Sequence, residues 1–202
     1  MGYTNFWRCK PNLDPNKFRS FAADVHKILE YPSVSLYFEH DSAEPPLIND
    51  DEICFNGAGE DGHETFIFTR VTKIEDWISP EDKDNMAFAF CKTARKPYDK
   101  YVTACLILAK LYFEEDVEIS SDGKISDWKE GLKIVNDILN YKVTMKGKSV
   151  EKAILKSLVL KKNKKLEEKR KLEEIKKAAQ EEILKKKEMQ EFNKNPIAEL
   201  MA

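Results

Sequence analysis

FAFCKTARKPYDKYVTACLILAKLYFEEDVEISSDG, residues Phe88 to Gly123, decides the fold. It opens on an apolar run, Ala87 to Cys91, whose length and aromatic content predict a buried strand. A polar segment follows, Lys92 to Asp99, with Pro97 suited to the first turn of a helix. The next residues, to about Phe113, are apolar nearly all round, which predicts a buried helix rather than a surface one. Val117 to Ser120 reads as a second strand and Asp122-Gly123 as its turn. The run is therefore strand, helix, strand, with polar segments at both ends of the helix.

Upstream, Phe6, Trp7 and Cys9 predict a first strand. Asp14-Pro15 predicts a helix start, with Asp as N-cap and Pro at the first helical position. Phe18, Phe21, Ala22, Val25, Ile28 and Leu29 then recur on one helical face, and Pro32 closes the element. Val34 to Phe38, Ile53 to Phe55 and Thr65 to Thr69 predict short strands. Asn56 to Gly62 reads as the hairpin connection, with Asn56-Gly57 at its turn. Trp77 to Asn85 is polar, and Ser79-Pro80 suggests a helical start. Downstream, Ser126 or Asp127 is expected to cap a third helix, Asp127 and Glu130 having capping-box spacing. Trp128, Leu132, Val135, Ile138 and Leu139 would form its inward face. Strands that follow one another without helices between them exclude strict β–α–β alternation. The expectation is an α+β domain over residues 1–145: a mostly antiparallel sheet with two or three packed helices.

Residues 146–202 differ in kind. From Ser149 to about Phe192 there is no Gly or Pro, and strong helix formers dominate. Pairs such as Glu167 with Lys171 and Glu181 with Lys185 have the favourable i,i+4 order. The reading is an extended charged helix, docking near its start through Ile154, Leu155, Leu158 and Val159. A coiled coil would place Lys165 and Lys186 at core positions, against the heptad rule. From Lys161 onward there are 13 Lys/Arg against 9 Asp/Glu, and the body carries 21 against 27. An acidic body thus carries a basic tail. Residues 150–202 are the expected contact for a protein partner. Nucleic acid is the weaker expectation, because Glu interrupts the Lys runs and phosphate binding needs uncompensated cations.

Several classes are set aside. Cys9, Cys54, Cys91 and Cys105 form no CxxC pair, and three of them lie in apolar runs, so buried thiols are expected rather than a zinc site. No metal or cofactor signature is present, and none is expected. MGYTNFWRCK lacks the apolar core of a signal peptide, and Phe6 stands where myristoylation wants Ser or Thr. The longest apolar run, Val102 to Phe113, is too short to span a bilayer. A soluble, cytoplasmic protein is expected.

Three clusters could carry chemistry. His63 and Glu64, before a strand, could supply a base or metal ligand and its orienting partner, or a turn hydrogen bond and a solvated carboxylate. Lys92, Arg95, Lys96, Tyr98 and Asp99, at a predicted helix start, could hold a phosphate or carboxylate; the alternative is local pairing of Asp99 with Arg95 or Lys96. Ser121 and Asp122 could act as nucleophile and partner, or as an Asx or ST turn ending the strand. Asn56 could face the same ligand. No cluster completes a catalytic signature.

The motifs FNGxGxDGHETFxFTR (Phe55 to Arg70), FCKTARKPYDxxVTAxL (Phe90 to Leu106) and ISSDG…W (Ile119 to Trp128) resemble a family of small uncharacterised proteins of bacteria, phages and large DNA viruses. The resemblance covers roughly residues 5 to 140. It implies a single α+β domain and a possible virion or phage context, and it carries no activity. The leading expectation is a non-enzymatic binding or structural protein, its body docked on a partner and its tail a tether. The alternative is an enzyme or binding domain for a small anionic or phosphorylated ligand.

Overall fold

A computed structural model of the chain describes residues 2–30, 32–72, 86–150 and 154–157, with helical pieces at 175–177, 180 and 185–186. Two units are resolved by chain contacts, Met1–Leu160 and Lys161–Ala202. The expectations for Trp77 to Asn85, for Leu158 and Val159, and for most of the tail helix lie outside the described residues.

The first unit is α+β with antiparallel pairing throughout. In chain order its elements are β1 (Thr4–Cys9), α1 (Pro15–Glu30), β2 (Leu36–Tyr37), β3 (Leu47–Ile48), β4 (Glu52–Gly57), β5 (Phe66–Thr69), β6 (Ala87–Lys92), α2 (Asp99–Phe113), β7 (Val117–Ser121), α3 (Lys129–Leu139), β8 (Val143–Lys146) and β9 (Ile154–Ser157). One sheet has the order β6-β1-β7. A second is built on β4, which pairs with β2, β3 and β5.

Both β6 and β7 run antiparallel to β1. They are therefore parallel to each other, with α2 crossing between them. Their C-terminal ends arrive on either side of the start of β1, where Thr4 pairs with Lys92 and Asn5 with Ser121. That return brings the two polar segments flanking α2 to one end of the sheet.

Local chemistry starts the helices. The Asp14 carboxylate accepts from Lys17 N at 2.8 Å, capping α1 with Pro15 as its first residue. The face Phe18, Phe21, Ala22, Val25, Ile28 and Leu29 is buried. On α2, every residue from Tyr101 to Ala109 is buried, as a helix apolar all round requires. Trp7, Phe18, Phe21, Phe55, Phe66, Phe68 and Phe113 fill the space between helices and sheets, with neighbouring rings 5.1–6.4 Å apart. Each such ring contributes roughly 1.5–3 kcal/mol by leaving water.

Four expectations are corrected. Asn56 and Gly57 lie within β4, not at a turn; the chain reverses over 58–62, and Gly59 holds the positive φ (49°). Asp127 accepts from Lys124 N, so it starts a 3-10 turn at Ile125–Trp128 that runs on into α3. Ile138 is exposed, and Ile134 packs against the core instead. Ile154–Ser157 is strand rather than helix, because it pairs with β8; cross-strand pairing overrides the helical preference of the surrounding sequence. In the second unit, Ile175–Lys177 are helical and exposed.

Candidate functional site

The joint end of β6 and β7 gathers Lys92, Arg95, Lys96, Tyr98, Asp99, Ser121 and Asp122, and Glu64 ties the connection that carries Asn56 and His63 to Lys92; most of these side chains already have work. His63 and Glu64 stand between β4 and β5. Asn56, fully buried at the end of β4, holds that connection. Its Oδ1 accepts from Gly57 N (2.8 Å) and His63 N (3.1 Å), and its Nδ2 donates to His63 O (3.0 Å) and Thr65 Oγ1 (3.1 Å). An amide offers two donors and two acceptor positions, so Asn56 has none left for a ligand. The loop is tight enough that a Cβ at Gly57 would lie 2.3 Å from Asp61 O.

Glu64 fastens the two sheets together. Its carboxylate accepts from Lys92 N at 2.6 Å, and its own N–H donates to Lys92 O at 3.3 Å. Its carbonyl accepts from the Tyr98 hydroxyl (2.5 Å) and from Cys91 Sγ (3.3 Å). Burial raises the Tyr98 hydroxyl pKa well above its ordinary value and pushes the Cys91 thiol to about 12, so both stay neutral. Lys96 Nζ donates to Glu60 O at 2.5 Å. His63, Glu64 and Lys96 line an open depression of about 710 Å3 with His40, Gly59, Glu60 and Gly62. The His63 Nδ1 is buried there without a partner.

At the start of α2 the chain makes a tight turn, Lys96 N bonding Thr93 O at 2.9 Å. Ala94 and Arg95 both take positive φ, 51° and 59°. Two consecutive non-Gly residues there are strained, at about 1–2 kcal/mol each. Arg95 is held over the Tyr3 ring, 4.1 Å to the centroid, and 3.6 Å from Asp127. Asp99 Oδ1 accepts from Asn5 Nδ2 (2.8 Å) and Thr93 Oγ1 (2.6 Å). Burial raises the Asp99 pKa; those two hydrogen bonds and the Arg95 charge partly offset it. Ser121 Oγ donates to the Tyr3 hydroxyl and accepts from Gly123 N, while Asp122 accepts from Thr4 N at 3.0 Å.

The clusters therefore converge, yet most of their side chains are spent on main-chain groups. Glu60, Glu64, Asp99, Asp122 and Asp127 stand among Lys92, Arg95 and Lys96, so this end has no surplus of positive charge. Among the described residues no three His, Cys, Asp or Glu side chains gather as a metal site. All four cysteines are free and buried. No described helix is long and apolar enough to cross a membrane.

A different site lies on the outer face of the β6-β1-β7 sheet. The expectation that Ala87 to Cys91 is buried holds for one face only: Phe88 is 49% exposed and Phe90 54%. Phe6, their partly buried neighbour on β1, stacks on Phe88 with ring centroids 6.1 Å apart, and Phe88 lies 6.1 Å from Phe90. The helices cover only the inner face, where Trp7, Ala87 and Cys91 point. Arg8, opposite Phe88 on one side and the exposed Glu118 on the other, and Lys92, opposite Thr4, flank the rings. Neither cation is ion-paired among the described residues.

Sequence reasoning missed Tyr3, Asn5 and Thr93 at the polar end and the phenylalanine face. Asn5 carried a signal: it falls in the inward set Tyr3, Asn5, Trp7 and Cys9, a polar residue at a core position. Comparison of the chain with family models, with curated proteins and with solved structures returns no match.

Proposed function

We propose that the globular unit is a non-enzymatic binding module that docks a partner protein through the Phe6–Phe88–Phe90 face. The observation that carries this is the exposure of two neighbouring phenylalanines, Phe88 and Phe90, in a chain that buries Phe18, Phe21, Phe55, Phe66, Phe68 and Phe113. An aromatic patch held out of the core, with cations at its margin, has the make-up of an interface centre. Arg8 and Lys92 ask for a partner patch edged by carboxylates. The Lys/Glu-rich tail from Lys161 suits a helical spacer, a role supported by its i,i+4 pairs and by the helical pieces at 175–177 and 185–186.

A photo-reactive phenylalanine analogue placed at position 90, in cells that make the protein, tests the reading. A covalent adduct with another protein is expected at position 90 and none at Lys133, an exposed position on α3. No adduct at position 90, or one with a second copy of the chain alone, would overturn it.

The alternative, a site for a small anionic ligand, draws support from the convergence of Lys92, Arg95, Asp99 and Ser121 and from the strained Ala94–Arg95 turn. Its test is a thermal-shift titration with inorganic phosphate. A rise in Tm that disappears in Arg95→Ala is expected on this reading, and no rise would remove it.

A further inference from the structure

The hydrogen-bond parity of β6 shows which of its main-chain groups are open. Lys92 N and O both bond Glu64, on the side away from β1. Residues two apart along a strand direct their N–H and C=O groups to the same side. Phe90 and Phe88 therefore turn their main-chain groups away from β1 as well. The β1 side agrees: Thr4 N and O bond Asp122, so Thr4, Phe6 and Arg8 serve β7, leaving Asn5, Trp7 and Cys9 to bond β6. Among the described residues nothing bonds the N–H or C=O of Phe88 or Phe90. The side chains of the same two residues are the exposed rings of the aromatic face. Natural edge strands are usually blunted by Pro, a bulge or an outward charge. Here the exposed positions are Phe88 and Phe90, and charge appears only at Lys92, where Glu64 already closes the edge.

We infer that the partner docks by strand addition: an extended segment pairs with the open edge of β6 at Phe88 and Phe90. This rests on the docking reading above and specifies its mode. The two residues span about 7 Å of edge, enough for four main-chain hydrogen bonds. Alternate apolar side chains of the added segment lie against the phenylalanine stack, and acidic residues at its ends face Arg8 and Lys92. Glu64 limits the addition at the Lys92 end.

The test uses the full chain and two synthetic peptides of one composition. In the first, Val and Thr alternate between acidic ends; in the second, the valines fall at helical spacing. The alternating peptide is expected to bind and the other not, and binding is expected to slow hydrogen exchange of the Phe88 and Phe90 amides at least about tenfold. Phe90→Thr keeps the edge N–H and removes the ring, whereas Phe90→Pro removes both, and a solvent-facing edge position tolerates Pro. Binding should fall with Phe90→Thr and by a further factor of about two to ten with Phe90→Pro, the worth of one hydrogen bond. Equal affinity of the two variants, unprotected amides in the wild-type complex, or equal or no binding of the two peptides would overturn strand addition and leave the docking face standing. A partner adduct at position 90 that persists at wild-type level in a Phe6→Ser, Phe88→Ser chain would overturn the docking face itself. The exchange measurement needs no variant, so a Phe90→Pro chain that fails to fold leaves the test intact.

Discussion

The two faces of the β6-β1-β7 sheet are both aromatic, and only one is used for folding. On the inner face, Trp7 lies 5.2 Å from the Phe66 ring and 6.1 Å from that of Phe68, and the cluster runs on to Phe18, Phe21 and Phe113. On the outer face, Phe6, Phe88 and Phe90 touch chiefly one another. Ring stacking alone contributes roughly 0.5–1.5 kcal/mol per pair, much less than burial within a core. The difference teaches that aromatic content does not mark the core; coverage by a helix does. An aromatic face without such cover is a candidate for a role other than folding.

The largest effect expected concerns the inner face. Phe113→Ala should lower unfolding free energy by about 3–5 kcal/mol in urea titration, through lost burial and the cavity left behind. Phe90→Ala should cost no more than about 1.5 kcal/mol, the worth of its ring pair with Phe88. Comparable losses at both positions would erase the contrast between the faces.

Next in size is Asp24, a buried carboxylate on the core side of α1. It accepts from the hydroxyls of Tyr112 and Tyr141 and pairs with Lys27 at 2.8 Å. Burial raises the hydroxyl pKa of both tyrosines, that of Tyr141 to about 12. Asp24→Ala should cost about 2–3 kcal/mol, because two buried hydroxyls lose their acceptor. The melting temperature reads this loss, and a neutral outcome would mean the tyrosines find other partners.

Smaller effects belong to the polar end. Ala94→Gly should stabilise by about 0.5–1 kcal/mol, since Gly adopts positive φ without strain. A loss instead would show that the turn is not strained. Asp99 supplies a pH dependence. Its folded pKa is raised, so the folded state binds the proton more tightly than the unfolded chain. Its contribution is fully present below the ordinary carboxylate value and is lost as pH rises through the raised one. Relative to Asp99→Asn, the wild type should therefore lose stability from about pH 4 upward and then level off. A difference that runs the other way would contradict the burial of Asp99.

Much of the inner architecture was legible in the residues. The face of α1, the apolar girth of α2 and the Asp14-Pro15 start follow from spacing and capping chemistry. The outer face was not, because Ala87 to Cys91 alternates Ala with Phe, and both are apolar. Period-2 patterning carries no inside-outside signal there. Asn56-Gly57 reads as a turn by residue type, yet β4 continues through it, and the amide of Asn56 braces a loop that closes on His63, seven residues later. Nothing local records that brace, or the pairing that makes Ile154–Ser157 a strand. At the polar end the candidate side chains were identifiable and their convergence followed from the crossover. Their engagement with main-chain groups needed the tertiary structure.

The most direct measurement compares the wild type with a Phe88→Thr, Phe90→Thr chain in two assays at once: unfolding in urea, and adduct formation from a photo-reactive residue at position 6. The account predicts a loss of at most about 3 kcal/mol, the worth of the Phe6–Phe88 and Phe88–Phe90 ring pairs, together with loss of the partner adduct. A chain that loses about 6 kcal/mol or more, as truncating two core phenylalanines would, places both in the core. An adduct that survives at full strength would remove them from the interface.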